Sequence, residues 1–468
     1  MSSMTLEQTP IWPEVKAIIE SKKKPVKFEY RVLLHTEKED ITVLKLITID
    51  NIKDYVNNIC DHLRIEFKLG LGDYVYRLYP YKTNLEATIK IIRLDEITHN
   101  RIINTVIAVE KYKMILPPGE NPDFTSTPME SNKIQELNNM NILDIKAQLV
   151  DRSAEVVRIK TTSGIFRQCT AKKLLHSLLA GEIKNIKVDG KHPIDGIDFP
   201  EPDNKEQVQQ IIVPDGTTLS SLPTYMQEKG GGIYSNGMGT YIQSFNKKKM
   251  WFIYPLFDFN RFSEDIPKLI FYFVPQNRLG GIDRTYQTEG NTTHILITSA
   301  KNFKTDGETD LLNGGTGFRM SDARSFMKKP VTMTEEGPVA NRTRLNHEVA
   351  IKSKDDGLNF APMIKSNSLN TFANYSDVGI RNVDRIDFVW ENSDITLLYP
   401  GMPCKCVFLH NNKLIELKAS LAYVHNLTAL QSQGITSNLY KNQTGITVLT
   451  EKLSNKIEPS KQEIAGVF

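Results

Sequence analysis

Cysteine is scarce in this 468-residue sequence. Four of them cannot form the disulfide framework of a small secreted protein, so the expected place of synthesis is a reducing cytoplasm. Charge of one sign is missing as well. Lysine and arginine number 58 against 55 acidic residues, a formal net charge of +3. That balance gives no basic excess for gripping nucleic acid or an anionic membrane. The runs Lys22-Lys23-Lys24 and Lys247-Lys248-Lys249 are short and read as solvated loops. No apolar run approaches the ~18–20 residues that cross a bilayer, so no membrane span is expected. The opening MSSMTLEQTPIWPEV has no basic start followed by an apolar core, and it does not read as a secretory signal. With 40% hydrophobic and 24% charged residues, the composition suits globular domains, two to four of them at about 100–200 residues each.

Catalytic signatures are equally scarce. There is no GxxxxGK[ST] to cradle a nucleotide phosphate, no GxSxG elbow and no HExxH. His347-Glu348 lacks the second histidine of a zinc-protease helix. Asp306, Glu308 and Asp310 alternate as calcium ligands can, but the glycine and closing glutamate of an EF-hand loop are absent. Cys404 and Cys406 lie two apart in a strand pattern and so share one face. His410 and His425 do not stand at metal spacing from them, and the pair reads as core cysteines. No catalytic residue, cofactor site or metal site is assigned, and the chain is not read as an enzyme.

What the sequence does contain is strand after strand. Lys27–Thr36 and Ile41–Asp50 alternate apolar and β-branched residues. Arg64–Pro80 reads as two strands joined around Gly70 and Gly72. NLEATIKIIRLDEI and TVIAVEKYKMIL follow in the same style. LDIKAQLVDRSAEVVRIKTTSGIF reads as two strands with a turn at DRS. Thr170–Glu182 is the clearest helix, with Thr170 as its cap, leucines at 174, 175, 178 and 179, and Gly181 at its end. Strands resume in TYIQSF, KMWFIYPLF, KLIFYFVPQ and THILITSA. Residues 301–376 are polar and rich in Gly and Asn, and read as long loops. Asp384–Leu430 reads as a small antiparallel barrel.

The stretch LPTYMQEKGGGIYSNGMGTYIQSF holds five glycines. A phosphate loop has its strand before the glycines and its helix after them. Here the helix comes first and the strand follows. Gly230, Gly231 and Gly232 therefore read as a helix C-terminus that needs positive φ, and Ser235-Asn236-Gly237 as a hairpin-type turn.

The order of these segments resembles the baseplate hub proteins of contractile-tailed bacteriophages. TYMQEKGGGIYSNGMGTYIQSF leading into MWFIYPLFD is similar to a helix that runs into a strand in that family. LDIKAQLVDRSAEVVRIKTTSGIFRQCTAKKLLHSLLAG is similar to the strands and helix before it. GDYVYRLYPYKTNLEATIKI is similar to the family's first barrel. LLYPGMPCKCVFLHNNKLIELKASLAYVHNL is similar to its last barrel, with Pro400 and Gly401 opening a strand and His425 in a closing one. The resemblance spans about three quarters of the chain and excludes 301–376.

The fold class implied is mainly β with α insertions: two tail-tube-like β-barrel domains, a connecting α+β domain and long loops. Residues 1–25 would be an arm. Residues 26–205 would be the first barrel domain with helix 170–182, and 206–375 a middle α+β region. Residues 376–450 would be the second barrel, and 451–468 a tail. The family implies a virion structural protein assembled in the host cytoplasm. As a homotrimer it would join the sixfold tail tube protein ring to a threefold central spike protein. It would also contact neighbouring baseplate proteins and the tape measure protein, with genome DNA passing only in transit. A tube initiator, a wedge protein, and a tail-associated peptidoglycan or glycan hydrolase are the alternatives left open.

Overall fold

The computed structural model describes residues 8–20, 27–96, 102–121, 142–188, 192–274, 285–299, 301–304, 316–317, 319–321, 348–350, 359–360, 383–410, 413–430 and 440–453. The first helix, α1 (Trp12–Ile19), carries Pro13 in its first turn, where the missing N–H costs no intrahelical bond. Seven strands follow: β1 (Lys27–His35), β2 (Asp40–Thr42), β3 (Lys45–Asp54), β4 (His62–Gly70), β5 (Leu85–Glu96), β6 (Ile102–Ile115) and β7 (Ile142–Asp151). Period-two patterning turns one face of each strand inward. On β7, for example, Leu143, Ile145, Ala147 and Leu149 are all buried. They meet Phe28, Val32, Leu34, Ile65, Phe67 and Leu69 in one core. The second strand expected around Gly72 is absent. Residues 73–78 instead wind into a π-type turn that buries Tyr74 and Leu78, one turn apart, against the same core.

The chain then builds a helical module. Asp151 accepts hydrogen bonds from the N–H groups of Ser153 (2.8 Å) and Ala154 (3.3 Å) and so caps α2 (Arg152–Ile159). The DRS turn of the sequence reading is therefore a helix start, and only one strand follows, β8 (Thr161–Thr170). Helix α3 (Ala171–Asn185) is capped by the Thr170 side chain on Lys173 N–H at 3.2 Å. It runs through Gly181 without ending there, because Ile183 still has core to bury. Next come β9 (Gly196–Asp198), β10 (Gln207–Thr218), α4 (Leu222–Glu228), β11 (Met238–Phe245) and β12 (Lys248–Pro255). β8 and β10 form a two-stranded ribbon, and β11 and β12 a hairpin. The unbroken apolar run of β12 has a cause: both of its faces are covered. Trp251 and Ile253 pack under the helices, while Phe252 and Tyr254 face a second core.

That second core belongs to β13 (Lys268–Phe273), β14 (Tyr286–Glu289), β15 (Thr292–Ile297), β16 (Asn302–Lys304) and, after the short pairs β17 (Thr316–Gly317) with β20 (Asn359–Phe360) and β18 (Arg319–Ser321) with β19 (Glu348–Ala350), to β21 (Asp384–Glu391), β22 (Pro403–His410), β23 (Lys413–Leu430) and β24 (Tyr440–Thr450). β23 has 18 residues, roughly 60 Å of extended chain. Its first half pairs with β22 and its second half with β3, while β24 lies along its other edge. The β23–β24 hairpin is thus common to two rings. One runs β23-β3-β4-β7-β6-β5-β1-β24 and closes through Phe28 opposite Tyr440. The other runs β15-β13-β22-β23-β24-β21. Side chains complete it: Ser299 bridges both backbone groups of Val389, and Thr285 Oγ1 donates to the Glu391 carbonyl at 2.8 Å. The fold is mainly β with two ring-like units, as expected. The C-terminal strands do not make their ring from 376–450 alone, however. β13 and β15 complete it, and parallel pairing across more than 100 residues leaves no local trace in the sequence. On the outside of this ring, Ile11, Val15 and Ile18 of the α1 segment cover Tyr272, Val274, Leu296 and Val407.

Candidate functional site

The glycine-rich turn lies at the end of α4, inside the helical module. The N–H groups of Lys229 and Gly230 both reach the Tyr225 carbonyl, at 2.8 and 3.1 Å, and Gly232 N–H reaches Met226 at 3.1 Å. Gly231 and Gly232 have φ of +106° and +82°. The turn's remaining groups are held by two buried amides. Asn204 Nδ2 donates to the carbonyls of Gly231 (2.8 Å) and Gly232 (2.9 Å). Gln227 Oε1 accepts from Ile233 N–H (2.9 Å) and Tyr234 N–H (3.1 Å). These bonds are all internal, and a phosphate cradle would present its N–H groups outward instead. Gly237, at φ +70°, sits just before β11, and the β11–β12 hairpin turns later, at Asn246 and Lys247 with φ of +50° and +64°. Ser235 and Asn236 do form a turn, which leads into β11 and does not join two paired strands; the β11–β12 turn itself was hidden in the lysine run, since asparagine tolerates φ > 0 and lysine seldom does.

Gly401 marks the point where the module meets the second ring. Its φ is +63°. A Cβ there would stand 2.1 Å from Cδ2 of Tyr254, and one on Gly239 would stand 2.4 Å from the same ring's Cζ. Tyr254 is clamped between these two backbones, and its hydroxyl donates to the Tyr55 carbonyl at 2.5 Å, at the end of β3. One tyrosine therefore touches both rings and the hairpin. The Gly401 carbonyl accepts from Arg261 Nη1 at 3.1 Å, and the preceding Pro400 is buried. His425 lies on β23 where that strand leaves β22 for β3. Its Nε2 is 2.7 Å from Asp50 Oδ1, at the half-exposed seam between the rings. Cys404 and Cys406 are fully buried in the second core, and burial pushes both thiols well above their ordinary range. Among the described residues no group of three His, Cys, Asp or Glu side chains could hold a metal ion.

A buried polar cluster between the first ring and the hairpin was missed by sequence reasoning. Lys53 Nζ donates to Asp61 Oδ2 (2.7 Å) and Gln243 Oε1 (3.4 Å). Tyr241 OH donates to Asp61 Oδ1 (2.8 Å), and Tyr55 OH to Gln243 Oε1 (3.1 Å). Lys249 is ion-paired with Asp151 and, at 3.3 Å, with Glu110. It is 17% exposed, so the solvated-loop reading of the lysine run fails for this residue. Burial disfavours the Lys249 ammonium, but Glu110 and Asp151 outweigh it and raise its pKa. Burial likewise opposes ionisation of Glu110, yet Lys249, Lys53 and the Tyr112 hydroxyl hold its carboxyl below the usual range. The cluster faces a cleft of about 320 Å³ lined by Asn51, Lys53, Asp61, Glu110, Tyr112 and Gln243 among others. The available signal was parity: Asn51 and Lys53 fall on the same inward face of β3 as Ile49, where an apolar residue is the default. A second cleft, about 420 Å³, is lined by Asp198, Glu201, Asp258, Arg261, Phe252 and Tyr399 among others. Burial pushes the Asp198 carboxyl up, against the pull of Arg261.

No family profile and no curated protein sequence matches the chain. Solved structures do share its chain path. It is similar to the 43 kDa tail protein of prophage MuSo2 from Shewanella oneidensis, with a TM-score of 0.47 and 12% identity over 89% of this chain and 96% of that one. It is similar to a chain of the Francisella PdpA–VgrG complex in its lidded form, with a TM-score of 0.42 and 9% identity over 97% of this chain. It is also similar to an Escherichia coli component of the type VI secretion system, with a TM-score of 0.42 and 8% identity over 91% of this chain and 79% of that one. The chain spans 58% and 62% of the Francisella chains matched. At such scores and identities these likenesses concern the path of the chain and carry no argument about activity.

Proposed function

We propose that this protein is a structural baseplate hub at the tip of a contractile phage tail. It would be a homotrimeric symmetry adaptor between a sixfold tail tube and a threefold central spike, and would surround the channel through which DNA leaves. One observation carries the reading: a single chain holds two strand rings that share the β23–β24 hairpin. Three such chains set six rings about one axis, while every other surface repeats only three times. That is the geometry a sixfold-to-threefold joint requires. Closing strands into rings also removes the open sheet edges that would otherwise drive aggregation. The resemblance of the TYMQEKGGGIYSNGMGTYIQSF and LLYPGMPCKCVFLHNN segments to hub proteins supports the same reading. Gly230, Gly231, Gly232 and Gly237 then serve the fold and bind no ligand, and Pro400, Gly401 and His425 mark the second ring. In this reading tube ring, spike, neighbouring baseplate proteins and tape measure protein are the partners, and the chain has no catalytic role.

Native mass spectrometry of the purified protein, alone and mixed with its spike protein, tests this. The expected species is a trimer in at least one of the two samples. Monomer in both would overturn the hub.

A glycan-cleaving reading rests on Asp198, whose raised pKa in an aromatic cleft suits a general acid. The exposed Glu201 carboxyl in the same cleft is held low by a 2.6 Å bond from half-buried Lys172, which leaves a candidate base but shows no pairing with Asp198. Release of soluble fragments from purified peptidoglycan that vanishes in Asp198→Asn would favour the enzyme. Equal, background release from both proteins favours the hub.

A further inference from the structure

Helix α1 roofs a small cavity on the outer face of the second ring. The cavity, about 210 Å³, has Glu14, Ala17 and Ile18 of the helix on one side and Gln287, Glu289 and His294 of β14 and β15 on the other. Beside it Val15 and Ile18 share a core with Tyr272, Val274 and Leu296. His294 is half-buried there. Its ring stacks on that of Tyr272, with centroids 5.9 Å apart and planes 6° apart, and its Nδ1 lies 3.0 Å from the Tyr272 hydroxyl. Its cross-strand neighbours, Ile270 and Gln287, are uncharged.

The charges around this ring come from several elements. Glu14 stands on the first turn of α1, and Glu289 ends β14. Glu416 acts on Tyr272 from β23 and is paired with Lys405 of β22 at 2.8 Å. Lys16 and Glu20 of α1 pair with each other in solvent.

An imidazolium is poorly served here. The neutral ring accepts the Tyr272 hydroxyl hydrogen at Nδ1, and protonation puts a hydrogen on that nitrogen. Burial holds the His294 imidazole below its ordinary 6.5, and Glu289 and Glu14 offset only part of the effect. Part of that burial comes from α1, whose residues wall the cavity. Lifting the helix would return the ring to water and to its ordinary range. By linkage, the docked helix is favoured fully above pH 6.5 and progressively less as pH falls below it.

We propose that α1 is an acid-loosened strap: protonation of His294 weakens the seat of the helix and uncovers the apolar outer face of the second ring at Tyr272, Val274, Leu296 and Val407. The device does not depend on the oligomeric state of the chain.

Hydrogen exchange of the full-length protein at about pH 5.5 and 7.5, corrected for intrinsic rates, tests this within the range where histidine titrates. Protection of the amides from Val15 to Glu20 is expected to be at least about threefold lower at the acid pH, with the β13 amides unchanged. His294→Phe keeps a ring against Tyr272 and cannot be protonated, so its α1 protection is expected to be equal at both pH values. Glu14→Gln, an exposed change, removes a charge that favours the imidazolium and is expected to widen the difference between the two pH values. Equal α1 protection at both pH values in the parent, loosening shared equally by β13, loosening that persists in folded His294→Phe, or a difference that Glu14→Gln fails to widen would each overturn the proposal.

Discussion

The two rings are built from the same kind of strand but differ in what fills them. The second is packed with rings: Phe252, Tyr254, Phe271, Phe273, Phe388, Trp390, Tyr399 and Phe408 meet in one core. Helix α1 seals its outer face. The first ring is filled mainly by aliphatic side chains, and the strands at its mouth turn polar groups inward, Asn51 and Lys53 from β3 and Glu110 from β6. An aromatic, sealed core tolerates few changes of shape, because large rigid side chains cannot redistribute volume. At the polar mouth one acceptor, Asn51 Oδ1, is left without a partner, while Lys53, Asp61, Glu110 and Gln243 are paired within the chain. The difference separates a sealed aromatic core from one whose mouth is polar and faces a cleft.

The largest effect expected from this contrast is at the seat of Tyr254. Gly401→Val adds a branched side chain at φ +63° and drives it into an aromatic ring with no room to move. Left-handed strain of about 1–2 kcal/mol and overpacking of about 1–3 kcal/mol add to roughly 2–5 kcal/mol. The denaturant midpoint should fall accordingly, or the protein should be insoluble. An unchanged midpoint would mean that the seat is not rigid. Gly231→Val, in the helical module, meets only Val208 Cγ2 at 2.8 Å, a side chain that can turn away. Its φ of +106° still opposes a β-branched residue, so about 2–3 kcal/mol should be lost. A variant as stable as the parent would show that this turn does not depend on glycine.

Asn51→Leu sharpens the comparison from the other ring. It removes the orphan acceptor and fills the mouth with apolar atoms, so stability should change by less than about 0.5 kcal/mol or rise. A loss as large as that of Gly401→Val would erase the distinction between the rings. A pH-dependent effect concerns Lys301, whose Nζ sits 3.4 Å from the centre of the Phe408 ring. Burial pushes its pKa down to about 8 from an ordinary 10.5. The folded state then binds this proton less tightly than the unfolded chain. The penalty is complete below pH 8 and fades as pH rises toward 10.5. The parent should thus gain stability relative to Lys301→Met between pH 8 and 10. Parallel curves would contradict the buried ammonium.

Strand character was readable because period-two alternation is local. Leu143, Ile145, Ala147 and Leu149 announce an inward face by themselves. Helix α3 was readable for the same reason, with its cap at Thr170. What could not be read were pairings between distant segments. Nothing in KLIFYF tells that it lies parallel to PCKCVF more than 100 residues later. Helix α2 was mistaken for a strand because SAEVVRI has β-branched residues at its centre, and only the Asp151 cap reveals it. Lys249 looked like surface because its two carboxylate partners come from β6 and β7. The polar mouth was the most legible of the missed features, since Asn51 and Lys53 break the inward apolar face of β3. The bulge in that strand between Leu46 and Thr48 blurs its parity.

The central claim is that two strand rings in one chain let a threefold assembly meet a sixfold neighbour. Electron microscopy of the purified oligomer, averaged without imposed symmetry, addresses it directly. The account predicts six ring-shaped densities around an open axis, related by a threefold rotation. A particle with one ring per subunit, or with no axial opening, would contradict it.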